Sequence, residues 1–292
     1  MYILNDKEKF NLRYRSELLK LFKLKGVHFE SLGFFDSTLN FIKLLLIIFF
    51  TNRMIISSNL KSNTLVMLFF WKRAGIIVNG LGRYKKNKLF RLFWLFLLNI
   101  NKNKIFTFQN YLDYRYFKSF SCQGRIHWVP GSGGKKKNIG NDKKKLVVIS
   151  RDEKIKNIQG SICNFLSKCS FDLVIVGCSH SAINETALKS FNPLVTGYVN
   201  QSDIMSFGGA FLQPAGYGEG IPHTLVDAIS SGVTVYITKQ QLLEFGLNKL
   251  GFHYTYHLDS WVKLEPNKES IYLLSAEKVS VIYYDYFINK SI

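Results

Sequence analysis

Chemistry-bearing residues concentrate in the stretch Gln213-Pro214-Ala215-Gly216-Tyr217-Gly218-Glu219-Gly220-Ile221-Pro222-His223-Thr224-Leu225-Val226-Asp227-Ala228. A short apolar run gives way to a glycine-rich turn, and Pro222 opens an amphipathic segment reaching Ser231, the pattern of strand, turn and helix. Gly218 and Gly220 let a ligand approach the backbone closely. The unpaired N–H groups at the start of such a helix, those of Ile221, His223 and Thr224 around Pro222, which has none, together carry about half a positive charge, which suits a diphosphate. Glu219 and Asp227 offer carboxylates to the hydroxyls of a sugar or a ribose, although an acid at either place would also complement the helix dipole. His223 fits a donor contact and a local structural role equally.

A second grouping, Ser150-Arg151-Asp152-Glu153-Lys154-Ile155-Lys156, begins where the apolar run Leu146 to Ile149 ends. Arg151 with its planar fork and Lys156 as a point charge suit one diphosphate, while ordinary solvated loop cations would look the same. The histidines form no His-x-x-x-His or His-Glu pair, so we expect no metal cofactor. Cys122, Cys163, Cys169 and Cys178 are too few and too irregular for a disulfide framework, and reduced thiols are expected.

Positioning these groups requires α/β architecture. Short apolar runs alternate with helical patterns from Tyr2 to Leu4 through Ile126 to Val129, and the alternation resumes at Leu146. The intervening GSGGKKKNIGNDKKK, from Gly131 to Lys145, is rich in Gly, Lys and Asn and neither buries itself nor holds regular structure. We therefore expect a first Rossmann-like domain over 1–134, a Lys/Gly-rich linker over 135–145 and a second Rossmann-like domain over 146–292. Both would be doubly wound parallel sheets, since continuous apolar strands belong to sheets covered on two faces.

Charge separates the two halves. Residues 1 to 145 carry 28 Lys and Arg against 7 acids, whereas residues 146 to 292 carry 11 against 13. A field of that sign attracts nucleic acid, an anionic membrane surface or a phosphorylated lipid. No apolar run approaches the roughly 18 residues of a membrane span. The N-terminus has no basic segment followed by an apolar run, so no secretory signal is read there and a cytoplasmic location is expected.

At the two groupings the chain resembles the retaining glycosyltransferases of the two-domain GT-B fold, specifically glycosyltransferase family 4 and its bacterial surface-polysaccharide branch (O-antigen and capsule). The resemblance is best over residues 126 to 250. It implies two Rossmann-like domains facing across a cleft. It assigns Arg151 and Lys156 to the donor phosphates, Glu219 to the donor sugar and Asp227, where the family has a second Glu, to the ribose. Tyr198 and Val199, within Gly197-Tyr198-Val199, match the nucleotide-base segment. Val78-Asn79-Gly80-Leu81-Gly82 and Phe108-Gln109-Asn110 match the acceptor domain and put Gly80, Gly82 and Asn110 on the acceptor side. The partners so implied are a nucleotide-sugar donor and a lipid-linked or saccharide acceptor, with metal-independent transfer. The basic first half would bring the protein to the anionic inner face of the cell membrane, with no nucleic-acid partner. Two rivals compete: a basic nucleic-acid-binding protein, which leaves the acidic loop unexplained, and a catalytically inactive relative.

Overall fold

The computed structural model describes residues 1–122, 124–215, 220–258 and 260–289, with the Arg83 side chain left aside. The first unit comprises residues 1–133, 220–221 and 276–289, and the second comprises 134–215 and 222–275.

In the first unit β1 (Tyr2–Asn5) leads into α1 (Glu8–Tyr14), α2 (Ser16–Leu24) and β2 (Glu30–Gly33). Then come α3 (Thr38–Phe50), β3 (Ile55–Ser58), α4 (Leu60–Leu68), β4 (Ala74–Val78), α5 (Lys88–Ile100), β5 (Lys104–Phe108), α6 (Tyr111–Phe120) and β6 (Ile126–Trp128). All neighbouring strands run parallel in the order β2-β1-β3-β4-β5-β6. Alternation along the strands divides the core. Leu4, Ile55, Ile76 and Phe106 pack with Leu44, Ile48, Val66, Trp94, Leu97 and Phe117 from the helices on one face. Ile3, Ile56, Ile77 and Ile105 pack on the other, against Leu18, Leu19 and Phe22 of α2.

In the second unit the order of elements is β7 (Lys145–Ile149), α7 (Asp152–Leu166), β8 (Asp172–Val176), α8 (His180–Asn184), β9 (Leu194–Gly197), β10 (Ala210–Leu212) and α9 (His223–Ser230). It closes with β11 (Thr234–Thr238), α10 (Lys239–Glu244), β12 (His253–His257), β13 (Trp261–Glu265) and α11 (Lys268–Leu273). Strand order is β12-β13-β11-β10-β7-β8-β9, parallel from β11 to β9, with β12 and β13 as an antiparallel hairpin on the edge. The chain first winds outward from β7 through β8 to β9, then returns to the other side of β7 to form β10. That reversal is the doubly wound topology expected from the apolar strands.

The strand after α2 lies at Glu30–Gly33, where Glu30 N–H donates to Met1 O and starts the ladder. Two boundaries differ from the sequence expectation. α12 (Ala276–Tyr284) packs on the first unit, contrary to a second domain running over 146–292. Val279, Tyr283 and Phe287 join Ile3, Leu18 and Phe22 in the core, and Gly75 leaves the space that the Phe287 ring fills, since a Cβ there would lie 2.5 Å from it. The segment 135–145 is no free linker either. Asn138 N–H donates to Ser202 O at 3.0 Å, Gly140 N–H to Met205 O at 3.0 Å, and the Asn138 amide to Asp203 at 2.8 Å. Its polar residues are satisfied by backbone and side chains of the second unit, which composition alone does not reveal.

Candidate nucleotide-sugar site

Open α/β sheets bind ligands at the carboxyl edge where the winding reverses. In the second sheet that point lies between β7 and β10, and the two predicted groupings follow these two neighbouring strands. Arg151 is the N-cap of α7, directly after β7, and Lys156 lies in the helix's second turn. Both side chains are largely exposed. Arg151 sits 3.8 Å from Glu153, and Lys156 pairs with Glu185 beyond α8. Exposed pairs of this kind hold a cation weakly, so either is readily transferred to a phosphate.

The turn after β7 is braced from β8. Asp152 accepts from the Ser179 N–H at 2.8 Å and from its hydroxyl at 3.0 Å. Gly177, at φ 90°, comes so close to Ser150 that an added Cβ would lie 2.6 Å from its carbonyl oxygen. Tyr198 and Val199 follow β9, the next strand along, with Tyr198 exposed. Arg151, Lys156, Tyr198, Val199 and the start of α9 thus lie along the carboxyl edge of the neighbouring strands β10-β7-β8-β9.

α9 starts at His223, one residue later than the sequence pattern, with Pro222 as N-cap at φ −62° and no side-chain cap. The backbone ahead of it is fixed at both ends. Gln213 N–H donates to Tyr236 O at 2.9 Å, the Gln241 amide donates to Pro214 O at 2.9 Å, and the Thr224 hydroxyl reaches Gln213 Oε1 at 3.4 Å. Gly220 and Ile221 are buried. Gly218 and Glu219, assigned to the donor loop, lie outside the described residues.

Asp227 is engaged within the chain. It is 6% exposed, and its carboxylate accepts the Lys135 N–H at 2.8 Å and lies 3.5 Å from the Lys137 ammonium. Burial pushes its carboxyl above the usual range, opposed by the Lys135 N–H and the Lys137 charge. Lys137 N–H donates to the Ser231 hydroxyl at 2.8 Å, which in turn donates to Asp227 O at 2.7 Å. The segment 134–137 is therefore a strap clasped onto α9. The Lys/Gly-rich composition of 135–145 gives no sign of this demand on Asp227.

The first sheet reverses between β1 and β3, and its carboxyl edge carries a chain of amides. The Asn79 amide donates to Asn59 Oδ1 at 2.6 Å, Asn59 to Asn5 Oδ1 at 2.6 Å, and Asn5 to Asn11 Oδ1 at 2.9 Å. Asn59 adopts φ 72° and ψ 153°, a backbone region that costs a residue with a Cβ roughly 1–3 kcal/mol. At the other end the Gln109 amide donates at 3.0 Å to both the Ser132 hydroxyl and the Tyr283 hydroxyl, and Tyr283 donates to Gly131 O at 2.9 Å. Arg15, between α1 and α2, donates to Asn79 Oδ1 at 2.8 Å and to Ser132. Asn79 and Gln109 fell within segments matched at the sequence level; Arg15, Asn5 and Asn59 did not. The signal available was that strands β1, β4 and β5 each end at, or just before, Asn or Gln. Of the residues matched to the acceptor side, Gly80 and Gly82 adopt φ 142° and 56°, and Asn110 is buried, capping α6 through the Asp113 N–H at 3.1 Å.

No protein-family model matches the chain, and neither does any curated protein. Solved structures do. Alr3699/HepE of Anabaena in complex with UDP superposes with a TM-score of 0.61 at 11% identity, covering 98% of this chain and 95% of that one. UDP-GlcNAc 2-epimerase from Neisseria meningitidis bound to UDP-GlcNAc gives 0.50 at 13% identity, over 99% and 100%. The GtfA/B complex gives 0.54 at 12% identity over 86% of this chain, which spans 60% of that one. The chain thus has the α/β fold of two Rossmann-like sheets found in these GT-B structures.

Proposed function

We propose that the protein is a glycosyltransferase of family 4, moving a hexose from a nucleotide-sugar to a lipid-linked or saccharide acceptor in surface-polysaccharide assembly, with retention of configuration. The observation that supports this is that Arg151 and Lys156 follow β7 while the α9 N-terminus follows β10, the two neighbouring strands between which the winding of the second sheet reverses. Breaking the bond from sugar C1 to the diphosphate oxygen leaves negative charge on the phosphate and oxocarbenium character on the sugar, while the acceptor oxygen bonds to C1 and gives up its proton. Arg151, Lys156 and the first N–H groups of α9 stabilise the departing diphosphate. Preorganised donors of this kind are worth about 10²–10³ in rate each. Glu219 orients the sugar, Tyr198 and Val199 meet the base, and no metal ion takes part. UDP is the nucleotide to try first, since HepE and the Neisseria epimerase hold UDP or a UDP-sugar. Asp227 reaches the ribose only by exchanging the strap for the ligand.

Association with the anionic inner face of the cell membrane belongs to the same reading. No helix among the described residues is long and apolar enough to cross a membrane. α3 exposes Leu39, Ile42, Leu46, Phe49 and Phe50, and Phe70 and Trp71 follow α4. Phe49 meets Trp71 at 5.9 Å between ring centroids, and Arg53, Lys72 and Arg73 adjoin these aromatics in sequence. Aromatics flanked by cations suit a lipid headgroup region.

A second reading, epimerisation of a UDP-sugar, is favoured by the near-complete overlap with the Neisseria epimerase. Incubation of the protein with UDP-hexoses and a bacterial lipid extract separates the two. Transfer predicts UDP release that depends on the extract, with an axial or equatorial product linkage matching the donor's. Conversion of the donor sugar without acceptor would replace the transferase reading.

A further inference from the structure

We propose that Arg15 is an oxyanion-binding residue of the first unit, taking a carboxylate or phosphate group carried by the acceptor. Only the word acceptor rests on the glycosyltransferase reading; the anion site stands on the first unit alone. Arg15 is 4% exposed, and its guanidinium lies 5.4 Å from the centre of the Tyr283 ring. Its hydrogen-bond partners among the described residues, Asn79, Ser132 and the Tyr283 hydroxyl, are all neutral, and its Nε is buried with no acceptor among them. No carboxylate among the described residues pairs with it. A guanidinium keeps its charge under all ordinary conditions, so a buried one without a counterion is costly and calls for an anion.

The geometry indicates where that anion sits. Nε and Nη2 share one edge of the guanidinium plane, the fork that grips carboxylate and phosphate with two parallel hydrogen bonds. Nε is bare and Nη2 is held by the Asn79 side chain, which is only half-buried and free to give way to a ligand. Asn79 continues through Asn59 to Asn5, which carries the polar edge to the reversal between β1 and β3, where open sheets take ligands. The edge is built from amides rather than acids. Asp6, beside it, accepts the Ser62 N–H at 3.1 Å and hydroxyl at 2.6 Å, so it is engaged away from the Arg15 charge. Amides alone would serve a neutral sugar; the buried cation selects an anionic one.

The test follows the Arg15 Nε–H resonance of the ¹⁵N-labelled full chain, assigned by its absence in Arg15→Lys. The titrants are glucuronate, methyl phosphate and glucose, at constant ionic strength in chloride. A saturable shift with glucuronate or methyl phosphate, and none with glucose, is expected, and the stronger of the two anions identifies the source. An unmoved resonance with both anions overturns the proposal. Thermal unfolding gives a second measure: anion stabilisation present in the wild type and lost in Arg15→Met supports the site, and equal stabilisation of both overturns it. UDP added to the same samples reports on the donor reading separately. UDP binding with a silent Arg15 removes the anion site alone, and an Arg15 response without UDP binding removes the transferase reading alone.

Discussion

Asp227 on α9 accepts the backbone N–H of Lys135 at 2.8 Å and faces the Lys137 ammonium at 3.5 Å, so the acid expected at the ribose holds a strap of its own chain. A double-mutant cycle of Asp227→Asn and Lys137→Met, read by denaturant unfolding, is predicted to give a coupling energy of about 0.5–3 kcal/mol, as expected for contacting groups. Additive effects would show that the clasp contributes nothing. The folded Asp227 carboxyl keeps its proton to higher pH than the unfolded one. Its stability contribution is therefore complete below the unfolded pKa and is lost as pH rises through the folded one. Asp227→Asn should flatten that part of the profile.

Lys104 begins β5 fully buried, its ammonium donating to Phe69 O at 2.8 Å, and burial lowers its pKa to about 7. Between about 7 and its ordinary value of 10.5 the unfolded chain binds the extra proton, so stability should climb with pH across that window and level off below about 7, where the folded chain is protonated as well. In Lys104→Met this slope should vanish, with a gain of about 1–3 kcal/mol at neutral pH from removing a buried charge. Parallel profiles of variant and wild type in urea unfolding would refute the assignment.

Gly177→Ala places a Cβ 2.6 Å from Ser150 O in a backbone at φ 90°. Strain and overpacking together should cost about 1–3 kcal/mol. Because Ser150 precedes Arg151, nucleotide affinity should fall with it. Calorimetry of the folded variant at low temperature checks this; unchanged affinity would dissociate the turn from the site.

Co-sedimentation with vesicles examines the apolar face of α3. Binding to vesicles rich in anionic lipid should drop in the combined Phe50→Ser, Phe70→Ser, Trp71→Ser variant, and should weaken with salt in the wild type. Equal binding by variant and wild type would place the membrane contact elsewhere.

The alternation of apolar strands and amphipathic helices made the two α/β sheets legible, because parallel strands buried on both faces leave continuous apolar runs such as Ala74–Val78 and Leu146 to Ile149. The helix start near His223 followed from proline chemistry. What stayed hidden depends on distant partners. The β12–β13 hairpin carries a weak periodic pattern, exposed along most of β12. The return of α12 to the first core is decided by the fit of Tyr283 and Phe287 against Gly75 and Phe22, not by local pattern. Arg15 looked like one cation among many in a basic half; only its burial sets it apart.

The central claim is that the reversal point of the second sheet holds the diphosphate of a nucleotide-sugar. Isothermal titration of UDP and UDP-hexoses into the wild type, Arg151→Ala and Lys156→Ala tests it most directly. Each substitution exchanges an exposed side chain, so the fold should survive. We predict saturable binding to the wild type, weakened at least tenfold in each variant, about 1.4 kcal/mol or more. Equal affinity in all three proteins, or no binding of any nucleotide to the folded wild type, would contradict it.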